Sequence, residues 1–147
     1  MSALTWLSLG ANIGDPPAQL AEAVRQIADQ PAIEITARST VLATKPWGKL
    51  DQPDFANMAL EIQTTLEPLD LLAALQAIEL NMGRVREEVW GPRLIDIDII
   101  AYDQRVMNTP RLSLPHPFAH ERDFVLAPLR EIAPQTADWI VRQAASR

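Results

Sequence analysis

Two aspartates one residue apart are the feature of the sequence that most suggests chemistry. Asp96 and Asp98 interrupt the isoleucine-rich run of residues 94–100. Side chains alternate along a β-strand, so both carboxylates are predicted on one face, with their Cα atoms about 6.7 Å apart. Like charges at that spacing repel unless a cation lies between them, and Mg²⁺ held by carboxylates and substrate phosphates meets this need. The strand taken alone favours the simpler interpretation, a solvated polar face on a one-sided sheet.

The segment just before the acidic strand is rich in arginine. Residues 83–93 are predicted to form a loop, which contains Arg84, Arg86 and Arg93 together with Trp90. Guanidinium groups beside a metal site suit a polyphosphate, because phosphoryl transfer depends mainly on positioning and charge neutralisation. The alternative is a charged loop that is simply solvated.

Three more polar positions accompany these groups. Glu79 falls within the apolar stripe of a predicted helix, so we expect it to pair with Arg84 or Arg86, with a ligand contact as the alternative. His116 and Arg122 lie in a proline-punctuated segment. The histidine alone does not indicate a general base, and a structural role suits it as well.

Six segments of regular structure are predicted to position these residues. Apolar periodicity, capping residues and Pro or Gly breaks place them in the order strand, helix, strand, strand, helix, strand. They cover residues 6–9, 16–30, 33–44, 55–66, 67–82 and 94–102. This order predicts an α+β fold of the ferredoxin-like, split βαβ (βαββαβ) type, an antiparallel sheet with both helices packed on one face. A further short helix is expected near residues 136–145.

Composition and charge narrow the class of protein. The 147 residues carry 13 basic and 19 acidic side chains, for a net charge of −6, and no cysteine. We therefore expect one domain over residues 1–147, without disulfides. The negative net charge argues against general binding to nucleic acid. No apolar run reaches the ~20 residues of a membrane helix and no export signal is evident, so a cytoplasmic protein that binds no membrane is expected. We also expect a monomer, although the sequence itself does not determine the oligomeric state.

Several short motifs occur together in the order typical of one enzyme family. They are LGANIGD at 9–15, DQPDFAN at 51–57, GRVR at 83–86, WGPRLIDIDI at 90–99, LPHP at 114–117 and RDFVLAPL at 122–129. In these motifs the chain resembles the 6-hydroxymethyl-7,8-dihydropterin pyrophosphokinase family of folate biosynthesis. The string Trp-Gly-Pro-Arg-x-x-Asp-x-Asp is the most specific of them.

The resemblance implies a reaction and a set of site residues. The reaction is transfer of the β,γ-pyrophosphoryl group of ATP to the hydroxymethyl oxygen of 6-hydroxymethyl-7,8-dihydropterin, giving AMP and the pterin pyrophosphate. Two Mg²⁺ ions would be held by Asp96 and Asp98, and Arg84 and Arg93 would act as catalytic residues on the phosphates. The implied ATP-binding positions are Gln76, Glu79, Arg86, Trp90, Ile99, His116 and Arg122. The implied pterin-binding positions are the stacking rings of Phe55 and Phe124, Asn57 and the backbone near Thr44.

Departures from the family pattern and two rival functions remain open at this point. Glu87, Glu88 and Val89 stand where the family more often carries basic residues, which puts the role of Arg86 in doubt. One rival is another ATP-dependent kinase that transfers the γ-phosphoryl group; the other is a non-catalytic ferredoxin-like regulatory or RNA-binding domain. The nucleotide product separates the three, because AMP, ADP and no turnover are their respective outcomes.

Overall fold

A computed structural model of the protein describes residues 2–12, 14–44, 55–83 and 95–146. Within these ranges the chain forms seven β-strands, four α-helices and one 3₁₀ turn over Ala119–Glu121. The strands are β1 (Ala3–Ala11), β2 (Ile33–Arg38), β3 (Leu42–Thr44), β4 (Phe55–Thr64), β5 (Asp96–Tyr102), β6 (Met107–Asn108) and β7 (Ser113–Leu114). The helices are α1 (Pro16–Ala28), α2 (Pro68–Gly83), α3 (Asp123–Ile132) and α4 (Pro134–Ala145). No helix in these ranges is both long and apolar enough to cross a membrane.

The main sheet has the strand order β2–β4–β1–β5, with the short strand β3 also paired to β4. All of its pairings are antiparallel. The central strand β1 is buried along most of its length, with Leu7 and Leu9 fully enclosed. The predicted βαββαβ order and ferredoxin-like fold are thereby confirmed. In this order β5, which carries the two aspartates, is an edge strand.

The two predicted helices lie on one face of the sheet, as expected. The N-cap Asp15 accepts a hydrogen bond from the N–H of Ala18 at 3.3 Å and starts α1. Buried aliphatic side chains of α1 and α2 form one core with the same face of the sheet, among them Leu20, Ile27, Leu71 and Leu75. These helices therefore leave the opposite face of the sheet available to other elements.

The opposite face carries a second helical layer that the sequence analysis predicted only in part. The short helix expected near 136–145 is present as α4, whereas α3, which precedes it, is not predicted from the sequence. Their buried residues, including Leu129 and Trp139, form a second core with Trp6 and Ala59 of the sheet. The helix α3 contains Pro128, a residue that ordinarily argues against a helix interior. Burial of its apolar side outweighs that local preference.

The strand predicted over residues 33–44 is broken in the structure. β2 ends at Arg38 and β3 begins at Leu42. At the break, Ser39 donates its backbone N–H to the carbonyl of Ala59 at 2.9 Å, and its hydroxyl accepts from the N–H of Ala59 at 2.8 Å. A serine hydroxyl thus takes the place of a backbone acceptor, and the chain leaves the ladder without leaving that N–H unpaired.

Candidate active site

Strand register places one predicted metal ligand, Asp96, and one predicted pterin position, Asn57, in one row across the sheet. Gly10 of β1 lies opposite Asp96 of β5 on one side and opposite Asn57 of β4 on the other. Leu42 of β3 continues the row beyond Asn57. Residues paired across antiparallel strands project from the same face, so Asp96 and Asn57 share a face with only a glycine between them. This is the face that also carries the second helical layer, at Ala59.

The glycine in this row keeps the space between its neighbours open. A Cβ atom added at Gly10 would stand 3.0 Å from the side-chain oxygen of Asn57, closer than ordinary contact. Asn57 is buried, whereas Asp96 is exposed at the end of β5. Any larger residue at position 10 would therefore press on the buried amide.

The two aspartates occupy the same face of β5, as the alternation predicted. Ile97 and Ile99 are buried on the other face, while Asp98 is half-buried and lies opposite Ser8. Among the described residues, no group of three or more His, Cys, Asp or Glu side chains could hold a metal ion by itself. A pair of carboxylates on one face fits Mg²⁺, which commonly takes its remaining ligands from water and substrate phosphates.

A cavity of about 300 Å³ lies at the outer edge of β5. Four predicted site residues line it: Gln76 from α2, Asp98 and Ile99 from β5, and His116. Its remaining wall contains side chains that the sequence analysis missed, namely Leu72, Thr109, Arg111, Leu112 and Ser113. The sequence feature that could have indicated them is Arg111, which lies in a proline-punctuated segment. No neighbouring sequence pattern, however, places that segment beside β5. The cavity joins the predicted ATP residues to one predicted metal ligand.

His116 is bound to the edge strand through its backbone, and its ring is held within its own segment. Its N–H donates to the carbonyl of Ile100 at 2.8 Å, at the point where the register between β1 and β5 shifts. Its Nδ1 accepts from the N–H of Phe118 at 3.1 Å. Burial, the largest cause, lowers the pKa of His116; the Asp98 carboxylate raises it in part, and Arg122 lowers it further. The ring is therefore neutral near pH 7, with Nε2 carrying the proton.

Glu79 reaches from α2 to the same strand. Its Oε2 accepts a hydrogen bond from the N–H of Ile97 at 2.8 Å. The apolar side of α2, formed by Leu71, Leu75 and Ile78, is buried, and Glu79 lies at its border. The expected partners Arg84 and Arg86 fall outside the described residues, so that pairing stays a prediction.

Aromatic rings and a cation form a chain from the cavity towards α3. The centroid of the His116 ring lies 6.2 Å from that of Phe118. The Cζ atom of Arg122 lies 5.6 Å from the Phe118 ring centroid and 5.9 Å from that of Phe124. Phe124 and Phe55 are 40% and 38% exposed, which leaves ring surface open to a flat ligand.

Not every predicted residue can be placed. The catalytic candidates Arg84 and Arg93 and the ATP-binding candidates Arg86 and Trp90 lie outside the described residues. The backbone of Thr44 is described, and it lies opposite Phe55 at the end of β3. The pterin candidates on β3 and β4 are thus adjacent, while the arginine loop stays a prediction.

Comparison with known proteins identifies the class of protein to which the chain belongs. The family model of 7,8-dihydro-6-hydroxymethylpterin-pyrophosphokinase (HPPK) matches residues 6–134. A protein of Methylorubrum extorquens named 2-amino-4-hydroxy-6-hydroxymethyldihydropteridine pyrophosphokinase is 52% identical over 129 residues, covering 88% of this chain and 82% of its own length. The Bacillus subtilis protein of the same name is 44% identical over 135 residues, covering 92% and 81%. The chain is therefore a pyrophosphokinase.

Solved structures show a similar fold. A crystal structure of Plasmodium falciparum HPPK-DHPS matches with a TM-score of 0.75 and 15% identity, over 100% of this chain and 43% of that longer chain. Identity at this level supports the fold alone. Together with the family model and the bacterial relatives, it leaves one assignment: the chain belongs to the 7,8-dihydro-6-hydroxymethylpterin-pyrophosphokinase family. The predicted family and its activity, pyrophosphoryl transfer from ATP to hydroxymethyldihydropterin in folate biosynthesis, are confirmed.

Proposed function

We propose that the row Asp96–Gly10–Asn57 brings the two substrates together for this transfer. The observation that carries the proposal is the strand register, which puts the Asp96 carboxylate and the buried Asn57 amide on one face of the sheet with Gly10 between them. In this arrangement Mg-ATP lies against β5 and the pterin lies against β4. The hydroxymethyl oxygen of the pterin then attacks the β-phosphorus of ATP above Gly10, and AMP leaves.

The nucleotide occupies the cavity at the edge of β5. Gln76 and Ile99 contact the adenosine, and His116 and Arg122 lie towards the phosphates, which is consistent with their place at and near the cavity wall. A neutral His116 donates a hydrogen bond from Nε2 without adding charge. Arg111 at the same wall supplies a guanidinium group to the phosphate chain.

Asp96 and Asp98 hold Mg²⁺, with two ions expected when ATP is bound. Bound Mg²⁺ would neutralise phosphate charge and help to position the triphosphate for in-line attack. Arg84 and Arg93 are the proposed catalytic residues, because guanidinium groups stabilise the charge that develops on the transferred group. Arg86 and Trp90 complete the ATP side, and Glu79 secures the strand that carries both aspartates.

The pterin lies on the β4 side of the row. Phe55 and Phe124 stack on its flat ring system, which suits their partly exposed faces. The buried amide of Asn57 and the backbone of Thr44 form hydrogen bonds with the polar edge of the pterin ring. Buried hydrogen-bonding groups discriminate strongly against ligands that leave them unpaired.

The wider setting is proposed from the same reasoning. The chain acts as a single pyrophosphokinase domain over residues 1–147, as a monomer in the cytoplasm. Its net charge of −6 and its small-molecule site are consistent with a role that involves neither nucleic acid nor membrane.

One assay tests the proposal directly. The purified protein is incubated with Mg-ATP and 6-hydroxymethyl-7,8-dihydropterin, and the nucleotide product is separated by chromatography. We expect AMP in a one-to-one ratio with pterin pyrophosphate, and no product when EDTA removes divalent cations. Formation of ADP would instead indicate γ-phosphoryl transfer, and absence of turnover with a folded protein would overturn the proposal.

A further inference from the structure

The connection between β2 and β3 is anchored on two different elements. Ser39 is bound to β4 through Ala59, as described above. Thr40 is instead bound to α3, because the Glu131 carboxylate accepts from its N–H at 3.0 Å and from its hydroxyl at 2.9 and 3.0 Å. Thr40 and Glu131 are both exposed, so their contact buries no apolar surface. Its effect is to fix the position of the connection relative to the helix.

The strand that follows this anchor has a hydrogen-bonded neighbour on one side only among the described strands. β3 is three residues long and pairs with β4 alone among the described strands. It begins two residues after Thr40 and ends at Thr44, opposite Phe55. A strand this short has few ladder bonds, so the residue before it has a large share in setting its position.

The helix at the other end of this contact carries Phe124. Glu131 lies seven residues after Phe124, which is two helical turns, or about 10.5 Å along the axis. Residues seven apart project from the same side of a helix. The side of α3 that holds Thr40 is therefore also the side from which Phe124 projects. One contact thus links the helix that carries one proposed pterin ring to β3, which carries Thr44 and pairs with the β4 residue Phe55.

We propose that Glu131 is a positioning residue for the pterin. By holding Thr40, it sets the gap between Phe124 on α3 and the β3–β4 edge at Thr44 and Phe55. This inference rests on the pterin placement proposed above. It assigns Glu131 a larger effect on pterin affinity than on ATP affinity, since the cavity at β5 lies on the other edge of the sheet and Arg122 lies at the far end of α3 from Glu131.

The same helix offers a matched control. Arg130, the neighbour of Glu131, forms an exposed ion pair with Asp138 of α4 at 2.7 Å. Removing this pair with Asp138→Ala alters the surface support of α3 without touching Thr40. A general loosening of α3 would therefore appear in both variants, whereas a positioning effect would appear in Glu131→Ala alone.

The experiment measures KM for each substrate, with AMP formation as the readout and melting temperature as a check on folding. We expect Glu131→Ala to raise the KM for the pterin by roughly threefold to tenfold, with the KM for ATP and kcat within a factor of two of wild type. Glu131→Gln keeps one oxygen that can accept from both donors of Thr40, so it should remain near wild type. Thr40→Ala removes only the hydroxyl and should give an intermediate KM.

The outcomes separate this inference from the proposed function. A wild-type protein that forms no AMP refutes the function itself. An active wild type whose Glu131→Ala variant keeps the pterin KM, or loses affinity for both substrates equally, overturns the positioning role. If Glu131→Ala is too unstable to assay, the Thr40→Ala comparison decides, and a pterin KM unchanged in that variant counts against the proposal.

Discussion

The Glu79 side chain on α2 accepts a hydrogen bond from the backbone N–H of Ile97, the residue between Asp96 and Asp98. Because β5 is an edge strand, part of its backbone faces away from the sheet. Glu79 satisfies one such group, and the backbone of His116 satisfies the carbonyl of Ile100 three residues further on. The strand that carries both aspartates is thus held from outside by Glu79 of α2 and by His116, which also lines the cavity at this edge.

Removing the hydrogen bond between Glu79 and Ile97 should lower both the stability of the protein and the rate of the reaction. We expect Glu79→Ala to lower the free energy of unfolding by about 1–3 kcal/mol, because the N–H of Ile97 loses its acceptor. Glu79→Gln keeps an acceptor oxygen and should lose less. Urea unfolding followed by circular dichroism measures the effect. Glu67→Ala is the control, since the exposed Glu67–Arg105 pair at 3.4 Å should contribute no more than about 1 kcal/mol. Equal losses in the two alanine variants would refute the bracing role.

Asp98→Ala tests the proposed metal site. The side chain is half-buried at the surface of β5, so we expect a melting temperature close to wild type. Activity should fall at least about 100-fold, because metal-ligand loss exceeds the 10–100-fold cost of losing a supporting group. Asp70→Ala on the exposed surface of α2 should keep full activity. An Asp98→Ala variant with a near-normal rate at saturating Mg²⁺ would remove the metal assignment.

Gly10→Ala tests the open space between the proposed ATP and pterin positions. The added Cβ would stand 3.0 Å from the Asn57 side-chain oxygen, so Asn57 must shift. We expect an increase in the KM for the pterin and a loss of about 1–3 kcal/mol in unfolding free energy from overpacking. Gly83→Ala is the matched control, because its Cβ meets nothing within 4 Å in the part of the chain that the structure describes. Wild-type pterin affinity in Gly10→Ala would show that the clearance has no role in binding.

His116 gives the stability of the protein a pH dependence of known sign. Its pKa is lowered in the folded state, mainly by burial, so the unfolded chain binds the proton more readily. Its contribution is fully present above the ordinary histidine pKa of 6.5 and is lost as the pH falls through the lowered folded value. We expect His116→Asn to flatten the stability profile between about pH 7 and 5 in EDTA. His120 remains in both proteins, so identical profiles would exclude His116 as the source.

The fold followed from the sequence wherever local signals and burial agree. The pair Asp15–Pro16 starts α1, and the alternation around Asp96 and Asp98 gave both the strand and its face. The long strand predicted over 33–44 failed at Ser39, because a side-chain hydroxyl there replaces a backbone acceptor in a contact with Ala59. Such a substitution depends on a partner twenty residues away and leaves no local pattern.

The second helical layer and part of the cavity wall were missed for a related reason. Pro128 argues against a helix, and only contact with Trp6 and Ala59 on the far face of the sheet makes α3 favourable. Arg111 likewise has no motif that ties it to β5. Residue types and spacing were enough to single out Asp96, Asp98 and the arginines of 84–93, and the resemblance to the family added the remaining site positions. The register that puts Asp96 and Asn57 on one face required the structure.

The division of the protein into two cores on opposite faces of one sheet has a consequence for how it opens. α3 and α4 share a core with only part of the sheet, separate from the core of α1 and α2. Cooperative units of this kind open at different free energies, and amide hydrogen exchange resolves them. We expect the α3–α4 amides to exchange before those of β1 and β4. Each such opening would move Arg122 and Phe124 away from the proposed site while leaving Asp96 and Asp98 in place. Pterin binding would therefore slow the hydrogen exchange of the α3 amides first.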